Sequence, residues 1–566
     1  NMFMPGSNQY YAFNSLNDFM TNRPPAYFAY TFSLVKGETA VYSANLKIAQ
    51  LGVYLQDEIN VNERFKLTAG IRIDKPIYLE NALENPAVTA LEFPDSKGNP
   101  THYNTSNWPK GTILWSPRIG FRWDVDGDRS LIIRGGTGLF TGKIPFVFLT
   151  NMPTNSGMYQ FGGAITSPAR LPNYLFTTVT NAYQDSFPST AGTSAPANIV
   201  LMDPNFKFPQ VWRTNIAFDK RFGMGWTFTV EAAVTKDVHA VRMRNANQRD
   251  PNGQFTNNSD TRPRYLTTGD RKIYPNLSSA IVLENTNKGG GFFLTTQISK
   301  SLAKGFYGSF AYTYTYSGDV TANPGSQATS VWNANPTRGT QNDLELAYSQ
   351  YAIPHRLVGT VSYRREYLKH LATTISIYYE GTSLGNYSYV YASDLNNDGN
   401  NTTDLMYIPK DPSDIIFKDR AANPGQGIVG YTAQQQSDAF FQLIENTPYL
   451  RKHKGQYAER NSSFLPWLHR VDFKLLQDVF TDIGDRRHTM QLSLDILNFA
   501  NLLNRDWGVQ KQTIVRNPLQ LQGVDAQGRP NYYMNQVGGK LVTEPFQNTL
   551  SSFSTWGIQL GLRYIL

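Results

Sequence analysis

The densest group of metal-binding oxygen atoms in the sequence lies in the stretch 394–400, DLNNDGN. Side-chain oxygens stand at its positions 1, 3 and 5 and glycine at position 6, which is the spacing of an EF-hand calcium loop. Asp404 offers a further carboxylate, but position 12 is Leu405, where an EF-hand carries a bidentate glutamate. The spacing predicts either a calcium site or a metal-free turn built on Asp and Asn side chains. The candidate calcium ligands are Asp394, Asn396, Asp398 and Asp404.

Other patterns that could carry chemistry are absent from the sequence. There is no cysteine, which excludes disulfides, zinc–thiolate sites and thiol catalysis. The seven histidines form no HxxxH or HxH pair, so no transition-metal site is predicted. The net charge of +8 is dispersed, without a basic block or helix, and gives no support for nucleic-acid binding. We therefore expect a non-enzymatic protein that requires no cofactor, with calcium at 394–404 as the one candidate ion.

The end of the chain is a strand with one apolar face. Apolar side chains occupy every second position from Trp556 to Leu566, and a period of two places them on one side of a strand. The last residues also resemble the C-terminal signal by which bacterial outer-membrane barrels are recognised for insertion by the barrel assembly machinery. The residues that carry this resemblance are Gln559, Gly561, Tyr564 and Leu566.

The same alternation recurs along the chain and predicts about 14 strands, many of 12 residues or more, whereas strands of globular proteins usually have 3–10. The predicted strands are 26–35, 49–61, 65–77, 113–125, 130–143, 209–222, 226–243, 290–302, 306–320, 355–367, 371–384, 467–480, 487–502 and 554–566. Very short connections alternate with long ones, which is typical of outer-membrane barrels. A soluble β-sandwich is disfavoured because no second sheet is available to cover the apolar rows.

These features predict an all-β fold, an antiparallel transmembrane β-barrel with short periplasmic turns and long extracellular loops. Aromatic residues make up 13% of the chain and charged residues 17%, against about 25% charged in soluble domains. We find no run of 18 apolar residues, so a helical membrane protein is excluded. The predicted location is the bacterial outer membrane, with lipid against the apolar rows.

The barrel prediction assigns directions to several side chains. Asp57 falls on the apolar side of its strand, so either a bulge shifts the register there or Asp57 lies near the membrane interface. Loop tyrosines at 387, 389 and 391 either stack on a ligand or anchor at the outer interface, and we favour anchoring. Five arginines are predicted to face the lumen, where they contact a plug or solvate the wall. They are Arg118, Arg122, Arg134, Arg213 and Arg221.

Several stretches taken together resemble the barrel of TonB-dependent outer-membrane receptors, specifically the Oar-like group of Bacteroidota. The resemblance covers roughly 45–566 and depends mainly on the order of motifs that are individually weak. The motifs are YLQD at 54–57, LTAGIRID at 67–74, SPRIGF at 116–121, IRGGTGLFTG at 133–142, PQVWR at 209–213, PHR at 354–356, PW at 466–467, RVD at 470–472, LDILN at 494–498 and NLLN at 501–504.

The resemblance implies a TonB-dependent receptor that takes up a bulky nutrient, peptide or glycan, with the TonB complex and a surface lipoprotein as partners. Relatives have barrels of about 22 strands, a plug and a signal peptide. We expect 1–25 to lead into the barrel and 26–566 to form the C-terminal part of it, with plug and signal peptide not present in this chain. The alternative function is a scaffold for adhesion or secretion partners without uptake.

Overall fold

The computed structural model describes residues 9–35, 44–188, 190–256 and 258–566, and its largest feature is one antiparallel sheet of 14 strands. Thirteen of these strands follow one another in chain order, each paired with its sequence neighbours, and Ala347–Tyr348 pairs with the end of one of them. We call the thirteen the wall. Its strands are β1 (Ile48–Asn60), β2 (Phe65–Tyr78), β3 (Leu114–Asp124), β4 (Leu131–Thr141), β5 (Gln210–Arg221), β6 (Trp226–Asp237), β7 (Gly290–Ala303), β8 (Phe306–Asp319), β9 (His355–Tyr367), β10 (Leu371–Ser383), β11 (Trp467–Ile483), β12 (Arg486–Leu497) and β13 (Gly557–Ile565).

The wall has an apolar face and a polar face, as the period-2 pattern requires. On β13 the exposed fractions of Leu560 and Leu562 are 77% and 67%, although a soluble protein buries such side chains. Their neighbours on β12 in the same rows are Leu494 and Leu492. The apolar face is therefore built for a hydrocarbon solvent, and the opposite face carries the polar and charged side chains.

The first hairpin answers the question about Asp57. Pairing between β1 and β2 is continuous from Ile48↔Tyr78 to Asn60↔Lys66, with no bulge. Asp57 lies opposite Ala69 in the apolar row, and its Oδ1 accepts a hydrogen bond from the Glu58 N–H at 2.8 Å. The register-shift explanation is therefore wrong. The Asp57 carboxylate faces outward, a few residues from the short turn.

The strand predicted at 26–35 exists but does not belong to the wall. Tyr27–Ser33 pairs with Gln9–Ala12 on one side and with Gln160–Ile165 on the other, in a separate three-stranded sheet. Six of its seven residues are buried, so both of its faces are covered and no side faces lipid. Its assignment to the barrel was wrong. Residues 1–8 of the predicted leading segment lie outside the described residues.

The six long connections of the wall pack together at one end of it, and we call this assembly the cap (79–113, 142–209, 238–289, 320–354, 384–466 and 498–556). The strand predicted to run to residue 243 ends at Asp237, and Ala240–Asn245 belongs to a cap sheet with Asn198–Met202 and Ser279–Thr286. Further cap strands are Glu92–Pro94, Pro100–His102, Gly253–Gln254, Pro263–Arg264, Asn386–Tyr387, Tyr407–Ile408, Ile416–Phe417, Gln456–Tyr457, Ser463–Phe464, Lys511–Thr513, Leu519–Val524, Pro530–Met534, Gln536–Val537, Lys540–Leu541 and Phe546–Asn548.

Helices in the described residues are short and lie outside the wall. They are α1 (Leu16–Met20), α2 (Pro86–Thr89), α3 (Phe146–Thr154), α4 (Ala328–Asn333), α5 (Ala433–Asn446), α6 (Pro448–Lys452) and α7 (Phe499–Leu503). None of the helices in the described part of the chain has the length and apolar character of a transmembrane helix. The longest, α5, begins with a capping box in which Thr432 and Gln435 exchange hydrogen bonds, and it buries Phe440, Leu443 and Ile444 in the cap core.

Candidate functional site: the polar wall and the cap

All five predicted arginines lie on the polar face of the wall. The register places Arg118 and Arg213 in one row, because both pair with Gly138. Gly138 is needed there, since an added Cβ would lie 2.9 Å from the Arg118 Cβ. The Arg118 guanidinium lies 5.2 Å from the centre of the Phe140 ring. The Arg213 guanidinium lies 5.6 Å from the centre of the Phe293 ring. These contacts hold the two side chains against the wall.

Charge on this stretch of the wall is only partly neutralised. Arg134 binds the carboxylates of Asp219 and Glu231, each at 3.1 Å. Arg122 lies directly opposite Arg134, and among the described residues it forms no ion pair. Arg118, Arg213 and Arg221 also form no ion pair with the described residues. Strands β3–β5 therefore present a net positive inner surface.

The polar face of the other strands is lined by ion pairs that join adjacent strands or, for Arg364 on β9 and Asp478 on β11, the two strands on either side of β10. Arg356 pairs with Glu380 at 2.8 Å, Lys474 with Asp495 at 2.8 Å and Arg364 with Asp478 at 3.2 Å. Each exposed pair adds at most about 1 kcal/mol to stability, so their main consequence is a hydrophilic lumen with balanced charge. Sequence alone does not identify these pairs, because the partners are brought together only by strand register.

The residues of the predicted insertion signal divide between the two faces of β13. Gln559 and Gly561 lie opposite Asp495 and Ser493 in inner rows, and a Cβ at 561 would lie 2.5 Å from the Ser493 Oγ. Tyr564 belongs to the apolar row, and its hydroxyl lies 2.6 Å from the His488 Nδ1. Leu566 follows the strand and is 70% exposed. This arrangement leaves an aromatic and an aliphatic side chain outward, and the signal role of the four residues stays a prediction.

In the stretch 394–400 the acidic side chains bond to the loop's own backbone. The Asp394 carboxylate accepts from the N–H groups of Asp398 (2.8 Å) and Gly399 (2.7 Å). Asn396 Oδ1 accepts from the Asp398 N–H at 2.9 Å, and Asp398 Oδ1 from the Asn400 N–H at 2.8 Å. These successive side-chain-to-backbone bonds close a tight loop whether or not a cation is bound.

The positive charge of Arg271 lies beside the acidic side chains of this loop. The Arg271 Nη2 lies 3.5 Å from the Asp394 Oδ2 and donates to the Asn397 Oδ1 at 2.6 Å. Burial, followed by the charge of Asp394, raises the pKa of Asp398 to about 6. In the described part of the chain no three His, Asp or Glu side chains are grouped so as to hold a metal ion. The metal-free turn accounts for every bond above, and calcium at Asp394, Asn396, Asp398 and Asp404 stays a prediction.

Asp404 belongs to a buried ionic centre that the sequence did not reveal. Arg262, with no exposed side-chain surface, donates to Asp260 at 3.0 Å and to the Leu405 carbonyl at 2.7 Å, and its Nη1 lies 3.7 Å from the Asp404 Oδ1. The Tyr391 ring stacks under the guanidinium at 4.9 Å. Burial raises the pKa of Asp404 well above its ordinary value, while Arg262 opposes that shift. This centre ties the 238–289 and 384–466 connections together.

The three loop tyrosines are core residues of the cap. Tyr387, Tyr389 and Tyr391 are 9%, 0% and 2% exposed and pack in one cluster with α5. Burial raises the pKa of each above the usual value for tyrosine. Neither ligand stacking nor anchoring at the membrane interface fits side chains in this position, so both interpretations were wrong.

The cap also contains polar cavities that are partly open to solvent. One, of ≈ 360 Å³, is bounded by the connections 320–354, 384–466 and 498–556 and is lined by Arg460, Arg516 and several carboxamide side chains. Another, of ≈ 580 Å³, lies between Tyr27, α3 and the start of α4 and has no charged residue in its lining.

Residues 3–507 match the outer membrane beta-barrel domain family. The chain belongs to this family. As an outer membrane beta-barrel domain protein it is integral to the outer membrane, and the 14-stranded antiparallel sheet with one apolar face confirms the predicted fold class. No curated protein matches the chain.

Solved structures similar to this outer membrane beta-barrel domain include three bacterial receptors. The FrpB iron transporter from Neisseria meningitidis is 10% identical with a TM-score of 0.34, over 80% of this chain and 42% of that one. The ferric enterobactin receptor PfeA from Pseudomonas aeruginosa is 9% identical with a TM-score of 0.36, over 83% and 45%. The siderophore receptor PiuA from Acinetobacter baumannii is 9% identical with a TM-score of 0.31, over 84% and 40%. The chain thus spans less than half the length of each.

Proposed function

We propose that this chain forms part of the barrel of an Oar-like TonB-dependent receptor that takes up a bulky nutrient, a peptide or a glycan. The observation that carries the proposal is a wall with a charged inner face beneath a folded cap that contains polar cavities. A transport path needs a hydrophilic lumen, and the polar inner face of the wall supplies one. The protein acts here by binding and conformational change, without catalysis.

Three further parts of the proposal concern partners. Energy for uptake comes from the TonB complex, and a surface lipoprotein assists at the cap. The barrel assembly machinery binds the terminal strand through Gln559, Gly561, Tyr564 and Leu566. The unpaired arginines of β3–β5 support a further contact, since a positive inner surface favours an acidic partner such as a plug.

Uptake is tested by deleting the gene and measuring accumulation of labelled oligopeptides and oligosaccharides, with and without a protonophore. We expect loss of accumulation of at least one class, and the same loss when the proton gradient is collapsed. Surface adhesion is measured in parallel. Unchanged accumulation of every class together with lost adhesion would establish the scaffold function instead.

A further inference from the structure

The ≈ 360 Å³ cavity of the cap carries one uncompensated positive charge. Its lining includes Arg460 and Arg516 but no aspartate, glutamate or lysine. Arg460 is 5% exposed and already pairs with Asp319 at 2.8 Å. Arg516 is exposed, and in the described part of the chain its side chain forms no ion pair or hydrogen bond. A guanidinium presents two parallel N–H groups that match a carboxylate, so this wall of the cavity favours a carboxylate ligand.

A carboxamide at the same cavity favours a ligand that also carries hydrogen-bond donors. Asn386 uses its Nδ2 to donate to the Ser349 carbonyl at 2.9 Å, which leaves its Oδ1 buried and without a partner among the described residues. A buried acceptor without a donor is costly, so a ligand that brings an N–H or O–H group to the Asn386 Oδ1 is favoured.

The aromatic content of the lining separates the two ligand classes that could satisfy both requirements. Sugar rings in binding sites pack against open aromatic faces, and the one aromatic residue in this lining is Tyr387. It is 9% exposed, and its hydroxyl donates to that of Tyr389 at 3.1 Å. No open ring face is therefore offered by the lining. A peptide end, by contrast, supplies a carboxylate and amide N–H groups on one short chain.

We propose that this cavity binds the free C-terminal carboxylate and the last peptide groups of a short peptide, with Arg516 on the carboxylate and the oxygen of Asn386 on a peptide N–H group. The volume lies within the range of ligand pockets, about 300–1,000 Å³. The proposal rests on the proposed function, because it names the substrate class that the receptor captures before uptake.

The test is isothermal titration of the full protein, purified from outer membranes in detergent, with trialanine as the free acid and as the C-terminal amide. We expect the acid to bind and the amide to bind at least about 10-fold more weakly. Arg516→Gln is expected to weaken binding of the acid by about 10- to 100-fold and to leave binding of the amide unchanged. Arg516→Lys, which keeps the charge but loses the paired N–H groups, is expected to fall between.

The matched control is Arg505→Gln, an exposed arginine of the same connection that lies outside the cavity lining. It is expected to bind both peptides as the unmodified protein does. Equal binding of acid and amide, absence of binding at millimolar peptide, or an unchanged affinity in Arg516→Gln would each overturn the proposal. So would binding of maltotriose in place of the peptide.

Failure of this inference is distinguishable from failure of the proposed function. If trialanine binds through Arg516 but cells accumulate no peptide, the cavity assignment stands and transport fails. If cells accumulate some other nutrient in an energy-dependent way while Arg516 has no effect on peptide binding, transport stands and the cavity assignment fails.

Discussion

Arg262 is the residue on which the cap core most depends. It has no exposed side-chain surface and is surrounded by Asp260, Asp404 and Tyr391. Two carboxylates that are 1% exposed are tolerable only beside a cation, because an isolated buried charge is far more costly than a buried pair. The arginine therefore matters less for the attraction that it adds than for the charges that it compensates.

Replacing Arg262 by methionine should destabilise the cap by about 3–5 kcal/mol, since it leaves the buried carboxylates unpaired. Hydrogen exchange of the amides in 384–466 measures this loss in the intact protein. The double variant Arg262→Met with Asp260→Asn is the matched control and should recover part of the loss, because one uncompensated charge is removed. Equal protection in the single variant and in the unmodified protein would contradict this account of the centre.

Asp398 gives the cap a defined pH dependence. Its pKa rises from 3.8 to about 6 on folding, so between these values the folded chain binds more protons than the unfolded one. Stability then falls as the pH rises through this window and is constant above it. Relative to Asp398→Asn, which does not titrate, the cap should lose about 2–3 kcal/mol between pH 4 and pH 6.5. Hydrogen exchange of the amides at 395–400 across that range tests it, and parallel curves for the two proteins would rule out the shift.

The calcium prediction is tested on the same residue. A bound cation would favour the ionised form of Asp398 and lower its pKa. Titration of the folded protein with calcium chloride should then release heat that is lost in Asp398→Ala, and calcium should remove the pH dependence described above. Absence of any heat in the unmodified protein would leave the stretch 394–400 as a metal-free turn.

The turn at 394–400 could be predicted from sequence because the side-chain-to-backbone bonds that close it, from Asp394, Asn396 and Asp398, are local and span six residues or fewer. Arg262 and Arg516 could not, because their surroundings include residues of other connections that are distant in the sequence. Nothing in the residues next to Arg262 distinguishes it from an exposed arginine. The same limit explains the error on the tyrosines at 387, 389 and 391, whose alternation resembles that of a membrane strand although the cap covers them on all sides.

At the scale of elements, the wall strands could be predicted to within a few residues because two solvents impose their pattern. Lipid on one face and water on the other select alternating side chains over 10 or more residues, and few other environments do so. Tyr27–Ser33 shows where this inference ends. Its sequence YFAYTFS alternates weakly, and it is buried on both faces, so periodicity alone could not assign it to a sheet.

The two faces of β9 provide a paired test of the lipid-facing assignment. Val361 lies in an apolar row and Thr360 in an inner row, at the middle of the same strand. Val361→Arg should destabilise the protein in phospholipid vesicles by about 2–4 kcal/mol, the cost of arginine near the bilayer midplane. Thr360→Arg is the matched control and should cost much less, because the lumen is hydrated. Similar free energies of unfolding for the two variants would contradict the assignment.

At the scale of the whole molecule, wall and cap have different sources of stability. The wall buries its backbone polar groups in pairing between strands, and its apolar face needs lipid. The cap has hydrophobic clusters of its own, including Phe440, Leu443 and Met534, and therefore resembles a soluble domain built from loops. Perturbations such as those at Arg262 and Asp398 should consequently affect the cap while leaving the wall intact.

The wall itself has two free edges in the described part of the chain, because β1 pairs only with β2 and β13 only with β12. Unpaired N–H and C=O groups are too costly for the hydrocarbon layer, so a stable barrel needs further strands on both edges. Residues 1–566 produced alone should therefore associate through these edges in detergent, and the amides of β1 and β13 should exchange much faster than those of β8 and β9. Light scattering and hydrogen exchange measure the two effects. A monodisperse monomer with protected β1 and β13 amides would mean that the two edges find each other and that thirteen strands suffice to close the wall.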